Sequence, residues 1–304
     1  SQTISNPLAL GANQTWTAST GNIVANGTSD NPIVFTAFAD DAYGGDMDRV
    51  SATPFVGSWY GVELSSKSAT SSFSHNIFRY GGNYGTGLYK KAMLYANRVS
   101  PPIADSVFEF SKGYGVFLDA SNSHVSNNIF RDNNYPTGAG FSVGLYAIGG
   151  APKVDGNTFE RNYLGLSTNF ANADIADNIF TGNRTAMQIA GPVVGPITGN
   201  SGEANDTINL LGWVSSPGST TTLMANPMPY FLQGLVEVPA NSTLDIKEGV
   251  VIKTSTISAS SLLGVSGRLN IDTSTSTGVT FLSTISTTTK MGWTGIIMSL
   301  GSSS

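Results

Sequence analysis

The chain has 304 residues, of which 40% are hydrophobic and only 12% are charged, and its formal net charge at pH 7 is −5. The apolar share is enough for a core, but the charged share is about half of that in an average soluble domain. Lys and Arg are too few and too scattered for nucleic-acid binding, the lack of cysteine excludes disulfides and thiolate chemistry, and no run of 18 apolar residues predicts a membrane span.

Ser, Thr, Asn and Gly occupy the positions that charged residues usually fill. A surface of this kind is polar but almost uncharged. Together with the lack of cysteine, this composition favours an extracellular or cell-surface protein.

Four carboxylates surround a Gly–Gly turn within the first predicted segment, residues 8–64. Hard cations prefer oxygen ligands, so this loop predicts a Ca²⁺ site, with a solvated acidic turn as the alternative. The spacing is not that of an EF-hand. The four candidate ligands are Asp40, Asp41, Asp46 and Asp48.

The next segment, residues 65–210, repeats one short phrase in which a polar residue stands two positions before a Phe. Successive copies of the Phe lie 21–30 positions apart. The phenylalanines are Phe78, Phe108, Phe130, Phe159 and Phe180. Asparagine stands two positions before four of them, as Asn76, Asn128, Asn157 and Asn178.

Internal similarity at this period predicts a solenoid or a propeller, and propeller blades are longer. The short alternating segments between Asn and Gly corners predict β-strands. Stacked coils would place the Phe side chains in an inward column, with coils about 4.8 Å apart. The Asn residues would stand at corners, where their side-chain amides can hydrogen-bond along the axis. Asn133, Asn162 and Asn183 indicate a second Asn column.

The residue after each Phe alternates in charge along the repeats, from Arg79 through Glu109 and Arg131 to Glu160. If these residues stack outside the solenoid, each exposed pair contributes about 0.2–1 kcal/mol, and like charges are penalised. The alternation therefore favours one register.

The carboxylates of the repeats fall at scattered offsets from the nearest Phe, so we predict no catalytic residue. An enzyme of glycans would need two or three carboxylates close together. Lys90, Lys91 and Arg98 in a long loop, and the histidines His75 and His124, have no spacing that indicates a site. The carboxylates are Asp105, Asp119, Asp132, Asp155, Asp174 and Asp177.

The phrase Gly-Asn-Thr-Phe-Glu-Arg-Asn at 156–162 and the strand-rich stretch 230–253 resemble right-handed parallel β-helix proteins, the pectin-lyase-like superfold. This resemblance implies an all-β fold, a right-handed parallel β-helix or β-solenoid, in a single elongated stack with possible division into two segments. It does not fix the function, because this superfold includes lyases, hydrolases, adhesins and structural stalks.

The last segment repeats the first. Residues 21–35 align without a gap with residues 267–281, and each copy leads to a Trp-x-Gly-aliphatic run, at Trp59 and Trp293. We therefore predict a β-helix over 1–210, a linker over 211–229 and a second, truncated copy over 230–304. The paired positions of Trp59 and Trp293 favour packing roles for the Trp residues, Trp16 and Trp213 included, rather than sugar binding.

An unfinished second copy predicts open coil ends with unpaired backbone groups. Either the sequence is part of a longer tandem protein, with neighbouring repeats as partners, or the ends stack head to tail into a filament. We expect a non-enzymatic, self-assembling structural protein of an extracellular fibre, layer or stalk. The alternatives are a carbohydrate-binding adhesin module and a polysaccharide lyase or hydrolase.

Five Asn-x-Ser/Thr sequons occur in the chain. In a sequence this rich in Asn and Thr, chance accounts for most of them, but each is a possible glycosylation site. They are Asn13, Asn26, Asn183, Asn205 and Asn241.

Overall fold

A computed structural model of the chain describes residues 8–10, 15–18, 21–46, 49, 54–83, 91–134, 142–192, 195–254, 262–272, 277–283 and 295–298. These residues form thirty β-strands, and all pairings between them are parallel. Within these ranges no helix is long and apolar enough to cross a membrane.

Three sheets run along the stack, and a fourth replaces two of them near its C-terminal end. The Phe sheet contains β1 (Leu8–Leu10), β4 (Ile33–Ala37), β7 (Asn76–Arg79), β10 (Val107–Glu109), β13 (Ile129–Arg131), β16 (Thr158–Glu160) and β19 (Ile179–Thr181). The short sheet contains β3 (Val24–Asn26), β6 (Ser72–Ser74), β9 (Ile103–Ala104), β12 (His124–Ser126), β15 (Lys153–Asp155), β18 (Asp174–Ala176) and β21 (Ile197–Thr198).

The long sheet runs through the whole described stack. It contains β2 (Thr15–Ala18), β5 (Gly61–Leu64), β8 (Ala92–Asn97), β11 (Tyr114–Asp119), β14 (Val143–Ile148), β17 (Leu164–Asn169), β20 (Thr185–Ala190), β22 (Ile208–Trp213), β24 (Tyr230–Val238), β26 (Val251–Thr254), β27 (Leu262–Val265), β29 (Thr280–Ser283) and β30 (Gly295–Met298). The C-terminal sheet contains β23 (Thr220–Leu223), β25 (Thr243–Ile246) and β28 (Arg268–Ile271).

From β1 to β21 the chain visits the Phe, long and short sheets in rotation, so every three strands complete one coil. Each strand pairs with the equivalent strands of the neighbouring coils, as Phe108 does with Phe78 and Phe130. The predicted all-β solenoid with coils in register is confirmed.

Single left-handed residues turn each coil at its corners. A residue with positive φ follows the short-sheet, Phe-sheet and long-sheet strands of the successive coils. Gly, Asn and Asp adopt this conformation at least cost, which explains why they recur at these positions. After the short-sheet strands these residues are His75, Asp105, Asn127, Gly156, Asp177 and Gly199.

The predicted Phe column forms the centre of the core. Five successive ring pairs from Phe35 to Phe180 have centroids 4.3–5.2 Å apart and planes within 11° of parallel. All six rings are at most 1% exposed. Phe35, in the first segment, adds one ring to the predicted column.

A column of glycines makes room for these rings. A Cβ on Gly144 would lie 2.7 Å from the carbonyl oxygen of Gly165 and 3.0 Å from Cβ of Phe130. Gly115 and Gly165 are equally confined by the neighbouring coil and a Phe. The Gly at the second position of β11, β14 and β17 is therefore required for space.

The predicted Asn column is a continuous hydrogen-bonded ladder. From Asn128 onward each side-chain amide donates to the carboxamide oxygen of the next Asn, as Asn128 does to Asn157 (3.0 Å) and Asn157 to Asn178 (3.0 Å). Before Asn128, the amide of Asn76 donates to the hydroxyl of Ser106 instead (3.5 Å). The ladder continues from Asn178 to Asn200 (2.9 Å). The same amides also donate to backbone carbonyls of the preceding coil, such as Val125 (2.9 Å).

The ladder begins at Asn76, whose buried Oδ1 has no hydrogen-bond partner among the described residues. Ile33 occupies the equivalent position in the preceding coil and offers no polar side chain. The second Asn column is also present, since Asn133 donates to Asn162 and Asn162 to Asn183, each over 2.9 Å.

The coils change shape after β21. The nine-residue β24 pairs with β26 through its first half and with β27 through its second. Strands β26 to β30 then repeat the order of β1 to β5, with β26 on β29 and β27 on β30. This repeated order agrees with the duplication of residues 21–35 at 267–281.

The predicted linker over 211–229 is wrong as a spacer between two bodies. It contains the end of β22 and all of β23, which pairs with β25. The long sheet passes through β22 and β24 to the C-terminal strands without a break. Hydrogen bonds between successive coils therefore join the two copies directly.

Candidate functional site

The acidic loop does not direct all its carboxylates to one point. Asp40 is 3% exposed, accepts a hydrogen bond from the hydroxyl of Thr36 and lies 3.3 Å from Nε of Arg79. Asp41 and Asp46 are exposed, and Asp48 lies outside the described residues. No three acidic or His side chains cluster within the described ranges. Calcium binding by this loop stays a prediction.

Arg79 is the centre of a charged network beneath that loop. It lies 3.2 Å from Glu109, and its guanidinium stands 5.2 Å from the ring of Tyr43 and 4.7 Å from that of Tyr80. Burial opposes its charge, but the hydrogen bond to Tyr80 and the nearby carboxylates outweigh burial and raise the pKa of Arg79. The network attaches the loop to the Phe sheet.

The predicted charge alternation is present in register, from Arg79 through Glu109 and Arg131 to Glu160. Contrary to the prediction, the first half of this charged series does not lie on the outside of the solenoid. Glu109 is 3% exposed and forms ion pairs with Arg79 and with Arg131 at 2.7 Å. Removing one partner of a buried, hydrogen-bonded ion pair destabilises a protein more than removing one partner of an exposed pair, because it leaves a buried charge without compensation.

The carboxylates considered for catalysis lie on different faces. Asp119 accepts a hydrogen bond from the hydroxyl of Tyr95 (3.0 Å) on the long sheet, whereas Asp132 binds Arg161 (2.7 Å) at a corner. Asp174 is on the short sheet, and Asp105 and Asp177 are left-handed corner residues.

Asp155 lies 2.5 Å from the ring of His124, in a pair half-exposed on the short sheet. His75 and Arg98 are left-handed corner residues. Lys91 is among the described residues and Lys90 is outside them. Among the described residues, His75, Arg98 and His124 therefore occupy separate positions rather than a common site.

The last described coil exposes side chains that are buried one coil earlier. Ile271 continues the column of Ile246, and its exposure is 39% against 0%. Met298 continues the column of Val265, and its exposure is 63% against 0%. Within the described residues, β28, β29 and β30 each pair along one edge only. This coil thus presents an apolar interior and three free strand edges.

One comparison with known proteins gives a match. Residues 60–207 match the model of a family described as right handed beta helix region. This part of the chain is a right-handed β-helix. No curated protein and no solved structure matches the chain. The matched stretch contains five of the six stacked Phe rings and the Asn ladder from Asn76 to Asn200, and a fold of this kind does not by itself assign an activity.

Trp residues occupy two kinds of position in this β-helix. Trp59 is fully buried and donates from Nε1 to the carbonyl of Arg79 (2.9 Å), as a packing role predicts. The packing role predicted for Trp213 is wrong, since its side chain is 48% exposed on the long sheet. The side chain of Trp16 and the whole of Trp293 lie outside the described part. Gly212, next to Trp213, was the only sequence signal for an irregular strand.

The sequons of the β-helix also differ in environment. The amide of Asn183 belongs to the second Asn ladder and donates to the carbonyl of Phe159 (2.7 Å). The amide of Asn26 bonds to Ser72 (3.1 Å) on the next coil. Asn205 and Asn241 are exposed in turns, and Asn13 lies outside the described residues. Glycosylation stays a prediction, and these turns offer the most accessible amides.

Proposed function

We propose that this β-helix is a structural element of an extracellular or cell-surface assembly, in which coils of separate molecules stack end to end. The polar, weakly charged composition supports an extracellular location. The Phe column and the two Asn ladders support a mechanical role, because they tie each coil to the next along one axis.

The apolar coil formed by β28, β29 and β30 is the observation that carries this proposal. Its free edges offer backbone donors and acceptors on three faces. At the other end of the described stack, β1, β2 and β3 also lie on three faces and pair along one edge only within the described residues. Strand addition to such edges is a common mode of association.

Stacking would bury side chains that are now exposed. Ile271 and Met298 are already partly buried, so each would gain less than about 1.5–3 kcal/mol, which is what burying a fully exposed side chain contributes. Association costs roughly 4–15 kcal/mol in lost freedom, so backbone hydrogen bonds along the three edges must supply the remainder. Contacts that repeat head to tail do not close on themselves and produce filaments, with a length that depends on protein concentration.

Electron microscopy and sedimentation of the purified chain test the proposal. We expect filaments or lengthening rods as the concentration rises. Met298→Asp should abolish them, because a carboxylate would enter the dry interior of the next coil. Ile297→Asp is the matched control, since Ile297 is 47% exposed on the outer face of the same strand. Short monodisperse rods at all concentrations, or equal effects of both variants, would contradict end-to-end stacking.

A further inference from the structure

The outer face of the long sheet changes at a β-bulge between β22 and β24. The register shifts between Leu210 and Gly212. Gly212 has a φ of 71° and Gly234 one of 82°, and a Cβ on either would meet no atom within 4 Å. The bulge therefore produces an open, shallow surface rather than a walled pocket.

Trp213 lies on this surface with its side chain 48% exposed. Its Nε1 donates to Oε2 of Glu237 on the adjacent strand, over 2.9 Å. The indole is thus held by one edge while much of the ring remains in solvent. Leu235, 45% exposed, adds a second apolar group on the adjacent strand. Large apolar side chains exposed together often mark a binding surface.

Polar side chains flank the indole along the same two strands. The amide of Asn209 donates to Oε1 of Gln233 (3.4 Å), and the hydroxyl of Thr207 donates to Asn209 (2.7 Å). Formal charge on this part of the face is balanced, since Glu237 contributes one negative charge and Lys253, on the next strand, one positive charge. The surface therefore combines an aromatic ring, planar amides and almost no net charge.

We propose that the Trp213 face, formed by Asn209, Trp213, Gln233, Leu235 and Glu237, binds an uncharged oligosaccharide. The apolar C–H face of a pyranose ring can stack on the indole, and its hydroxyls can bond to amides and carboxylates at the ring edges. A balanced surface is complementary to a neutral chain rather than to a polyuronate. The residues that dominate protein–protein binding lie in well-packed pockets. This open surface offers no such pocket, so it favours a saccharide over a protein partner.

Titration with neutral hexasaccharides tests the proposal, with binding followed by calorimetry and by tryptophan fluorescence. The probes are cellohexaose, chitohexaose and mannohexaose, and hexagalacturonate is the anionic comparison. We expect at least one neutral probe to bind and hexagalacturonate to bind more weakly. Trp213→Ala should reduce the affinity about tenfold or more, because aromatic anchors dominate such contacts. Trp213→Phe should retain part of the affinity.

Phe55→Ala is the matched control, because Phe55 is an exposed aromatic residue (67%) just before β5, six strands away from β22 in the long sheet. Its affinity should equal that of the unmodified chain, and circular dichroism should show that all variants fold. The proposal is overturned if no neutral probe binds, if hexagalacturonate alone binds, or if Trp213→Ala leaves the affinity unchanged. The proposal is also overturned if no saccharide binds and Trp213→Ala instead disrupts self-association, because the Trp213 face would then be a contact between copies of the chain.

Discussion

The coils over residues 72–201 and the coils over residues 208–298 are built on the same parallel pairing but are ordered by different means. In the first region the same side-chain types recur from coil to coil, as five stacked Phe rings and two Asn ladders show. In the second region mostly aliphatic side chains of varied shape fill the interior together with Tyr230, and β24 carries a bulge. Side-chain identity therefore fixes the register of the first region, whereas alternation of apolar and polar residues suffices for the second.

This difference has a consequence for energetics. In the first region the Asn side chains of both ladders bond to groups on neighbouring coils, so the loss of one residue affects two coils. In the second region a substitution affects mainly its own strand. Paired substitutions at comparable positions of the two regions can therefore measure how much the ladders contribute.

The largest effect is expected in the Phe column. Phe130→Ala removes a fully buried ring stacked between Phe108 and Phe159, and should lower the free energy of unfolding by about 3–5 kcal/mol. Phe281→Ala, at a partly buried position on β29, should cost less than half as much. Urea unfolding followed by circular dichroism measures both. Equal losses would show that stacked rings add nothing to ordinary burial.

The Asn ladder should give the next largest effect. Asn157→Leu leaves the carbonyls of Val125 and Asp155 and the backbone N–H of Asn128 without the partner that Asn157 supplies. Several unsatisfied buried groups should cost about 3 kcal/mol in total. Asn241→Gly, in an exposed left-handed turn of the second region, should change stability by less than about 0.5 kcal/mol. Thermal unfolding distinguishes the two, and a tolerated Asn157→Leu would contradict the importance of the ladder.

A substitution in the glycine column should give a smaller loss of stability, because it overpacks the core instead of leaving a cavity. Gly144→Ala should destabilise the protein by about 1–3 kcal/mol, because the new methyl group meets Gly165 and Phe130. Gly264→Ala, on β27, meets Leu235 Cδ1 at 3.4 Å, which is an ordinary contact, and should be nearly neutral. Calorimetric unfolding of both variants checks this. Similar values would show that the Phe column adjusts more easily than its geometry indicates.

The smallest effect concerns Asp206, which lies between the two regions. Burial raises its pKa above the usual Asp value, the N–H of Glu203 opposes the rise, and the Glu203 carboxylate adds to it. The folded state therefore holds this proton more tightly than the unfolded chain. The resulting stabilisation is present in acid and is lost as pH rises through the folded-state pKa. Asp206→Asn should remove this component from a series of unfolding midpoints between pH 3 and 7, and unchanged pH dependence would contradict the assignment.

The sequence predicts the solenoid and its ladders because their residues recur once per coil. Asn157 and Phe159 are recognisable by comparison with Asn128 and Phe130, and no long-range contact needs to be known. The second Asn column was visible for the same reason. Because the coils repeat, residues that contact each other between coils can be recognised from their recurrence in the sequence.

The features that the sequence did not predict depend on single, non-repeated contacts. Glu109 is buried between Arg79 and Arg131, and Tyr43 from an earlier loop lies against that network. The exposure of Trp213 follows from a register shift opposite β24, more than 15 residues further along the chain. The end of β22 and all of β23 lack the Asn-x-Phe phrase, which explains why the sequence indicates a linker over 211–229.

Because the same left-handed corners recur in successive coils, the length of this part of the protein is proportional to its number of coils. Because the coils from β7 to β21 turn through the same kind of single-residue corners, their cross-section stays constant, and every coil added there extends the axis by about 4.8 Å. Removing residues 128–156 as a block would place Asn157 directly above Ser106 and shorten the molecule by one step without altering its faces. The number of coils therefore sets the length of this region. Insertion or deletion of whole coils would change the distance between two surfaces attached to its ends.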